Sequence, residues 1–147
     1  MPVKNILVVD DSPTERFFAV DLLTKAGYQV STAENGEEGI AKAKATQPDL
    51  ILMDVVMPGL NGYQATRTLT RAEETKHIPV IVCTSKGQET DKIWGLRQGA
   101  ADYVVKPVSH AEFMARVRAA LRRKNDPMVT RAIVQVDERL VVVVVTP

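Results

Sequence analysis

Asn5-Ile6-Leu7-Val8-Val9-Asp10-Asp11-Ser12-Pro13-Thr14-Glu15 carries the chain from a strand, through two carboxylates, into a helix. Ile6 to Val9 are continuously apolar, as a strand buried on both faces should be. Ser12 then reads as an N-cap, Pro13 as the first helical residue and Glu15 as the returning half of a capping box. A buried strand feeding a capped helix is one βα unit, and the pattern repeats along the chain. Further strands are expected at Gln29–Thr32, Leu50–Met53, Val80–Cys83 and Tyr103–Val105. Gln29–Thr32 is the most polar and is expected at an edge. Gly27 ends the first helix. Asn35 with Glu38 opens a second, which stops before Pro48. A third runs from Gly62 to Arg71, and a fourth from Thr90 to Gln98, closed by Gly99. Ser109 with Glu112 opens a fifth, to about Arg123. Five strands strictly alternating with five helices, joined by right-handed crossovers, predict a doubly wound α/β fold with a five-stranded parallel sheet.

The 147 residues are 45% hydrophobic and 25% charged, with a net charge of +1. These values suit one globular domain with a sizeable core. Near-neutral charge gives no electrostatic reason to expect a nucleic acid or an anionic membrane as partner. No apolar run approaches the roughly 18 residues of a membrane helix. Cys83 is the one cysteine, so no internal disulfide forms, and no signal-like segment precedes Lys4. Both features predict a cytoplasmic location. Asn125-Asp126-Pro127 should break the last helix, dividing a domain at 1–124 from a Val-rich extension at 125–147. Within that extension Val129–Val136 and Leu140–Val145 read as a hairpin, a strand extension or an unstructured tail. A low-charge valine run on an open edge invites pairing.

The chemistry lies at the strand ends. Asp10 and Asp11 follow the first strand and Asp54 follows the third. Ligands of an open α/β sheet bind beyond the carboxyl ends of the strands, where strand order reverses. In the order 2-1-3-4-5, strands 1 and 3 are neighbours at that point, so the three carboxylates should converge. Converging carboxylates repel, and either a proton or a cation relieves them. Hard oxygen ligands suit Mg²⁺, with Mn²⁺ as a substitute. Lys106 follows the fifth strand and can pair with a phosphoryl oxygen as a point charge. Pro107, through a tight turn or a cis bond, would fix where that lysine points. Thr84 ends the fourth strand at the same edge, with a hydroxyl that can donate to a phosphoryl oxygen. Pro58-Gly59 reads as a turn that brings backbone groups near the site.

Taken together, these residues resemble the receiver domains of two-component response regulators, which have the flavodoxin-like fold. The resemblance covers about residues 3–123. It rests on Asp10-Asp11, on Asp54 after Leu50-Ile51-Leu52-Met53, on Met57-Pro58-Gly59 with Gly62, and on Thr84, Tyr103 and Lys106-Pro107. The stretches at 10–15, 55–67 and 88–95 are similar to the stand-alone regulators of type IV pilus twitching motility. The resemblance implies that Asp54 is the phosphoacceptor, served by a histidine kinase or a small phosphodonor. It implies that Asp11, Asp54 and the Val56 carbonyl bind Mg²⁺ directly, with Asp10 acting through a metal-bound water. Lys106 would pair with the phosphoryl group. Thr84 would move toward it and Tyr103 would rotate inward. The face formed by the fourth helix, fifth strand and fifth helix would then meet an effector protein. A weak homodimer through that face or through the C-terminal extension is a further partnership to consider. Val56 and Lys86 fall where a side chain can assist or block a water that attacks the phosphoryl group. Ser85 stands where the family often has alanine.

Rival functions remain open at this point. A phosphate sink would drain a kinase without driving an effector. A Mg²⁺-dependent aspartyl-phosphate phosphatase usually has a second Asp two residues after the nucleophile, and Val56 occupies that position here. A flavin phosphate would be repelled by Asp10 and Asp11. About 24 residues follow the fifth helix, fewer than the roughly 50 a DNA-binding output domain needs. His77 and His110 lack the neighbours a zinc site requires. Cys83 reads as a small buried hydrophobe, and Trp94 as either core or partner surface. Arg122-Arg123-Lys124 suits a helix C-terminus.

Overall fold

The computed structural model describes residues 3–124, 130–136 and 139–145, with side chains through residue 122. Strands β1 (Asn5–Val9), β2 (Gln29–Ala33), β3 (Leu50–Met53), β4 (Val80–Thr84) and β5 (Asp102–Val105) form one parallel sheet in the order β2-β1-β3-β4-β5. Between and after them run α1 (Pro13–Lys25), α2 (Gly36–Thr46), α3 (Gly62–Arg71), α4 (Glu89–Arg97) and α5 (His110–Lys124). The doubly wound α/β fold is therefore the one the sequence predicts.

Both faces of the sheet are covered, which explains its apolar strands. Side chains alternate across a strand. Ile6, Val8, Leu50 and Leu52 pack with Leu23 of α1 and with Phe113, Val117 and Leu121 of α5. Leu7, Val9, Ile51 and Met53 pack on the other side with Ala43 of α2 and with Ala65 and Leu69 of α3. The polar β2 lies at the edge, paired to β1 alone.

Register brings the chemistry to one edge. Val9 pairs with Met53, and Thr84 pairs with Val105. Asp10, Asp54 and Lys106 therefore each leave the sheet one residue beyond a paired strand end.

Several boundaries differ from the sequence reading. β2 extends to Ala33 because that residue pairs with Val9, and β4 extends to Thr84 because that residue pairs with Val105. β5 begins at Asp102, and α4 occupies Glu89–Arg97 rather than Thr90 to Gln98. The first capping box is half formed. Ser12 Oγ accepts from the Glu15 amide at 3.3 Å, but the Glu15 carboxylate turns away to Lys106. A complete box stands instead at α3, between Asn61 and Gln64.

Two further strands, β6 (Thr130–Val136) and β7 (Arg139–Val145), pair antiparallel as a separate two-stranded sheet. Val129 and the Asn125-Asp126-Pro127 break lie outside the described residues, as do the side chains of Arg123 and Lys124.

Candidate functional site

The carboxyl ends of β1 and β3 bring Asp10, Asp11 and Asp54 together. One carboxylate oxygen from each lies within 4.8 Å of the others. Asp10 is buried, Asp54 half-buried and Asp11 exposed. Asp10 is held from several sides. Its amide donates to the Ala33 carbonyl, and its Oδ1 accepts from the Ser12 amide at 3.0 Å. Arg16 Nη1 donates to its main-chain carbonyl at 2.7 Å. The remaining oxygen, Oδ2, faces Lys106 Nζ at 3.2 Å.

Lys106 reaches back from the end of β5 across the site. Besides Asp10 it meets Glu15 Oε2 at 3.4 Å. The Lys106–Pro107 bond is cis. Burial works against the lysine's charge, but Asp10 and Asp54 more than offset that and raise its pKa. It is a fixed cation at neutral pH.

Asp54 Oδ1 accepts from the Val55 amide at 2.9 Å. Its pKa lies above the ordinary carboxylate value, first because it is partly buried and next because Asp10 repels it. Lys106, the Val55 amide and the Thr84 hydroxyl pull it back only in part. Asp54 therefore carries a penalty when ionised. With three carboxylates and one ammonium in the cluster, hard oxygen donors and uncompensated negative charge fit a divalent cation such as Mg²⁺.

The same shift has a thermodynamic consequence. The folded state holds the Asp54 proton more tightly than the unfolded state does. Its stabilising share is complete below the unfolded value and is lost as pH rises through the raised folded one. Without divalent cations, Asp54→Asn should therefore melt higher than wild type at pH 7. The gap should close as pH falls toward 4. Thermal melts in EDTA across that range test this, and a wild type that melts higher at pH 7 would contradict it.

The remaining predicted residues fall around this cluster. Thr84 is fully buried, and its Oγ accepts from the Lys86 amide at 3.4 Å. Val56 is 59% exposed and lines the cleft with Asp10, Asp11, Asp54, Ser85 and Lys106; the cleft encloses about 850 Å³. Pro58 is exposed, and Gly59 takes φ +74°, the left-handed conformation glycine permits. Glu37 of α2 anchors that turn by accepting from the Leu60 amide at 3.1 Å. Tyr103 is buried, and its hydroxyl donates to the Lys86 carbonyl at 2.7 Å. Trp94 is 51% exposed, so it belongs to the surface rather than the core. Cys83 is largely buried, with its thiol pushed up to about 11, chiefly by burial. His77 and His110 are exposed.

Sequence reasoning missed three contributors: Arg16, which clamps Asp10; Glu15, which shares Lys106; and Tyr63, whose hydroxyl lies 3.1 Å from that of Tyr103. Gly62, which the motif resemblance includes, is the residue on which the Asp54 backbone rests. For Arg16 a signal existed, because the first turn of α1 must face the end of β1. Tyr63 and Tyr103 lie 40 residues apart, and no local pattern links them.

Fold and site together define a class. Residues 6–118 match the response regulator receiver domain, and the chain belongs to that family. Among individual relatives, Protein PilH of Pseudomonas aeruginosa PAO1 is 56% identical over 116 residues, covering 79% of this chain and 96% of PilH. The phosphate regulon transcriptional regulatory protein PhoB of the same organism is 45% identical over 120 residues, covering 82% of this chain and 52% of PhoB. The chain thus spans about half the length of that regulator. The chemotaxis protein CheY4 of Vibrio cholerae superposes with a TM-score of 0.77 at 29% identity, over 81% of this chain and 99% of that one. The receiver domain of the sensor histidine kinase PA1611 of P. aeruginosa superposes with a TM-score of 0.76 at 30% identity, over 82% and 99% of the two chains. That domain was solved with a magnesium ion coordinated in its active-site cleft.

Proposed function

We propose that this receiver acts as a phosphoryl switch, taking a phosphoryl group on Asp54 from the phosphohistidine of a histidine kinase. The observation that carries this reading is the convergence of Asp10, Asp11, Asp54 and Lys106 at one sheet edge. An Asp54 carboxylate oxygen attacks phosphorus, the P–N bond to histidine breaks, and the imidazole leaves with the bonding pair. The product is an acyl phosphate on Asp54. Lys106 exchanges its Asp10 and Glu15 partners for a phosphoryl oxygen. The Thr84 hydroxyl, at the end of β4, donates to another.

Mg²⁺, or Mn²⁺ in its place, would be held by Asp11, Asp54 and the Val56 carbonyl, with Asp10 acting through a bound water. When bound, it neutralises charge on the phosphoryl oxygens. The apolar Val56 offers no second carboxylate for phosphomonoester turnover, so the domain signals rather than processes a substrate.

Thr84, Lys86 and Tyr103 connect the site to α4 and β5, and the α4-β5-α5 face is where we place effector binding. Likeness to PilH, together with the motif resemblance, points to pilus-motility control in the cytoplasm as the setting. Residues 1–124 constitute the receiver, and the β6–β7 hairpin is an appended element.

The test is acetyl phosphate as donor. With Mg²⁺ the full chain should acquire a single phosphoryl group that maps to Asp54 by mass spectrometry. Excess EDTA should suppress the labelling at least roughly tenfold, because positioning and charge neutralisation supply most of the catalysis. Labelling that is indifferent to EDTA, or that maps elsewhere, would overturn the reading.

A further inference from the structure

Tyr103 is seated by more than the loop that follows Thr84. Its hydroxyl donates its one proton to the Lys86 carbonyl, leaving its lone pairs to accept. Tyr63, in the first turn of α3, places its own hydroxyl 3.1 Å away. The alternative acceptor for Tyr63, the Asp91 carbonyl in α4, is farther, at 3.3 Å. With Tyr103 committed to Lys86, the consistent order is Tyr63 to Tyr103 to Lys86. The chain of hydroxyls thus ties α3, β5 and the β4–α4 loop together.

The space for both rings is a gap in α4. A Cβ on Gly95 would stand 2.7 Å and 2.9 Å from Tyr103 ring carbons and 3.4 Å from Tyr63. Gly95 is thus the floor on which Tyr103 lies. Val55, Val82 and Ala100 complete the walls of the same apolar cluster, with Tyr63 packed against it.

We propose that Tyr63 is a positioning residue for the switch: with Gly95 as floor, its hydroxyl holds Tyr103 inward independently of what occupies Asp54. This rests on the proposed phosphoryl switch and deepens it. The inward position of Tyr103 is biased from α3 as well as pulled from Thr84, so phosphorylation completes a bias that α3 already supplies. Loss of the Tyr63 hydroxyl removes one hydrogen bond from the inward state and leaves both rings in place. Such a bond shifts a two-state ratio by roughly 2- to 12-fold.

The chain has three tyrosines, at 28, 63 and 103, so fluorotyrosine labelling gives an assignable fluorine NMR spectrum. The full chain, Tyr63→Phe and Gly95→Ala are compared before and after treatment with acetyl phosphate and Mg²⁺. Wild-type Tyr103 should give a predominantly buried signal before treatment and a wholly buried one after it. Tyr63→Phe should add an exposed population, and phosphorylation should return it toward the buried position. Gly95→Ala should show the exposed signal in both states. Trp94, adjacent to Gly95, verifies by its fluorescence that α4 remains folded in each variant. A Tyr103 spectrum that is the same in Tyr63→Phe and wild type, with Asp54 labelled normally, would overturn the latch alone. Absence of label on wild-type Asp54 would instead overturn the phosphoryl-switch reading on which it rests.

Discussion

Lys106→Ala should slow phosphoryl transfer to Asp54 by about 10²- to 10³-fold, the usual loss when one preorganised charge-stabilising donor is removed from a transfer site. The lysine is held 3.2 Å from Asp10 Oδ2, and its charge is secured by Asp10 and Asp54. No other basic side chain pairs with the cluster's carboxylates among the described residues; Arg16 binds the main-chain carbonyl of Asp10 and pairs with Glu34. Glu15, with 49% of its side chain exposed, can swing into water when the phosphoryl group claims the lysine. Lys106→Arg should recover little, because a planar fork cannot occupy the place of a compact ammonium. Stopped-flow measurement with a phosphorylated kinase as donor reads the rate directly. A loss below about threefold would mean that phosphoryl charge is neutralised elsewhere.

Gly62→Ala should be the most damaging small substitution in the domain. A Cβ at that position would lie 1.9 Å from the Asp54 carbonyl oxygen, 2.7 Å from its carbon and 2.8 Å from Val55 Cα. All three are backbone atoms, so no side chain can rotate aside. The Gly62 amide also donates to the Val55 carbonyl at 2.9 Å, which pins the start of α3 onto the loop after β3. Relief requires α3 to move away from the sheet or Asp54 to leave the strand end. Overpacking against a fixed wall costs about 1–3 kcal/mol and sometimes more. We expect the upper end, a fall in melting temperature on the order of 10 °C. Because Asp54 itself is displaced, labelling should fall further than the lost stability explains. Urea unfolding and acetyl phosphate labelling of the folded fraction separate the two effects. A loss under about 1 kcal/mol with normal labelling would contradict this close approach.

What could be read from the sequence depended on how local each signal is. β1 and β3 were legible because burial on both faces leaves an uninterrupted apolar run ending in Asp10 and Asp54. Lys106 was legible as a strand-end lysine. Its partner Glu15 was not: a short-range capping rule assigned that carboxylate to Ser12, while a lysine 91 residues away claims it in the fold. Trp94 could not be placed because α4 buries only Gly95 and lacks a clear apolar stripe. Helix α1 shows the same weakness, since Phe17 and Phe18 are 67% and 62% exposed and Leu23 is its one fully buried residue. Periodicity identifies helices that bury a broad face, and these two do not. The tyrosine pair and the rest of the Asp54 backbone on Gly62 depend on how α3 meets the sheet, which no stretch of sequence contains.

Phosphotransfer from a phosphohistidine donor to wild type and Asp54→Asn tests the central claim most directly. Asparagine keeps an oxygen for the Val55 amide and removes the nucleophilic carboxylate. The prediction is transfer to wild type with Mg²⁺ and none to Asp54→Asn under the same conditions. Equal labelling of the two proteins would contradict the assignment of Asp54 as the residue that carries the signal.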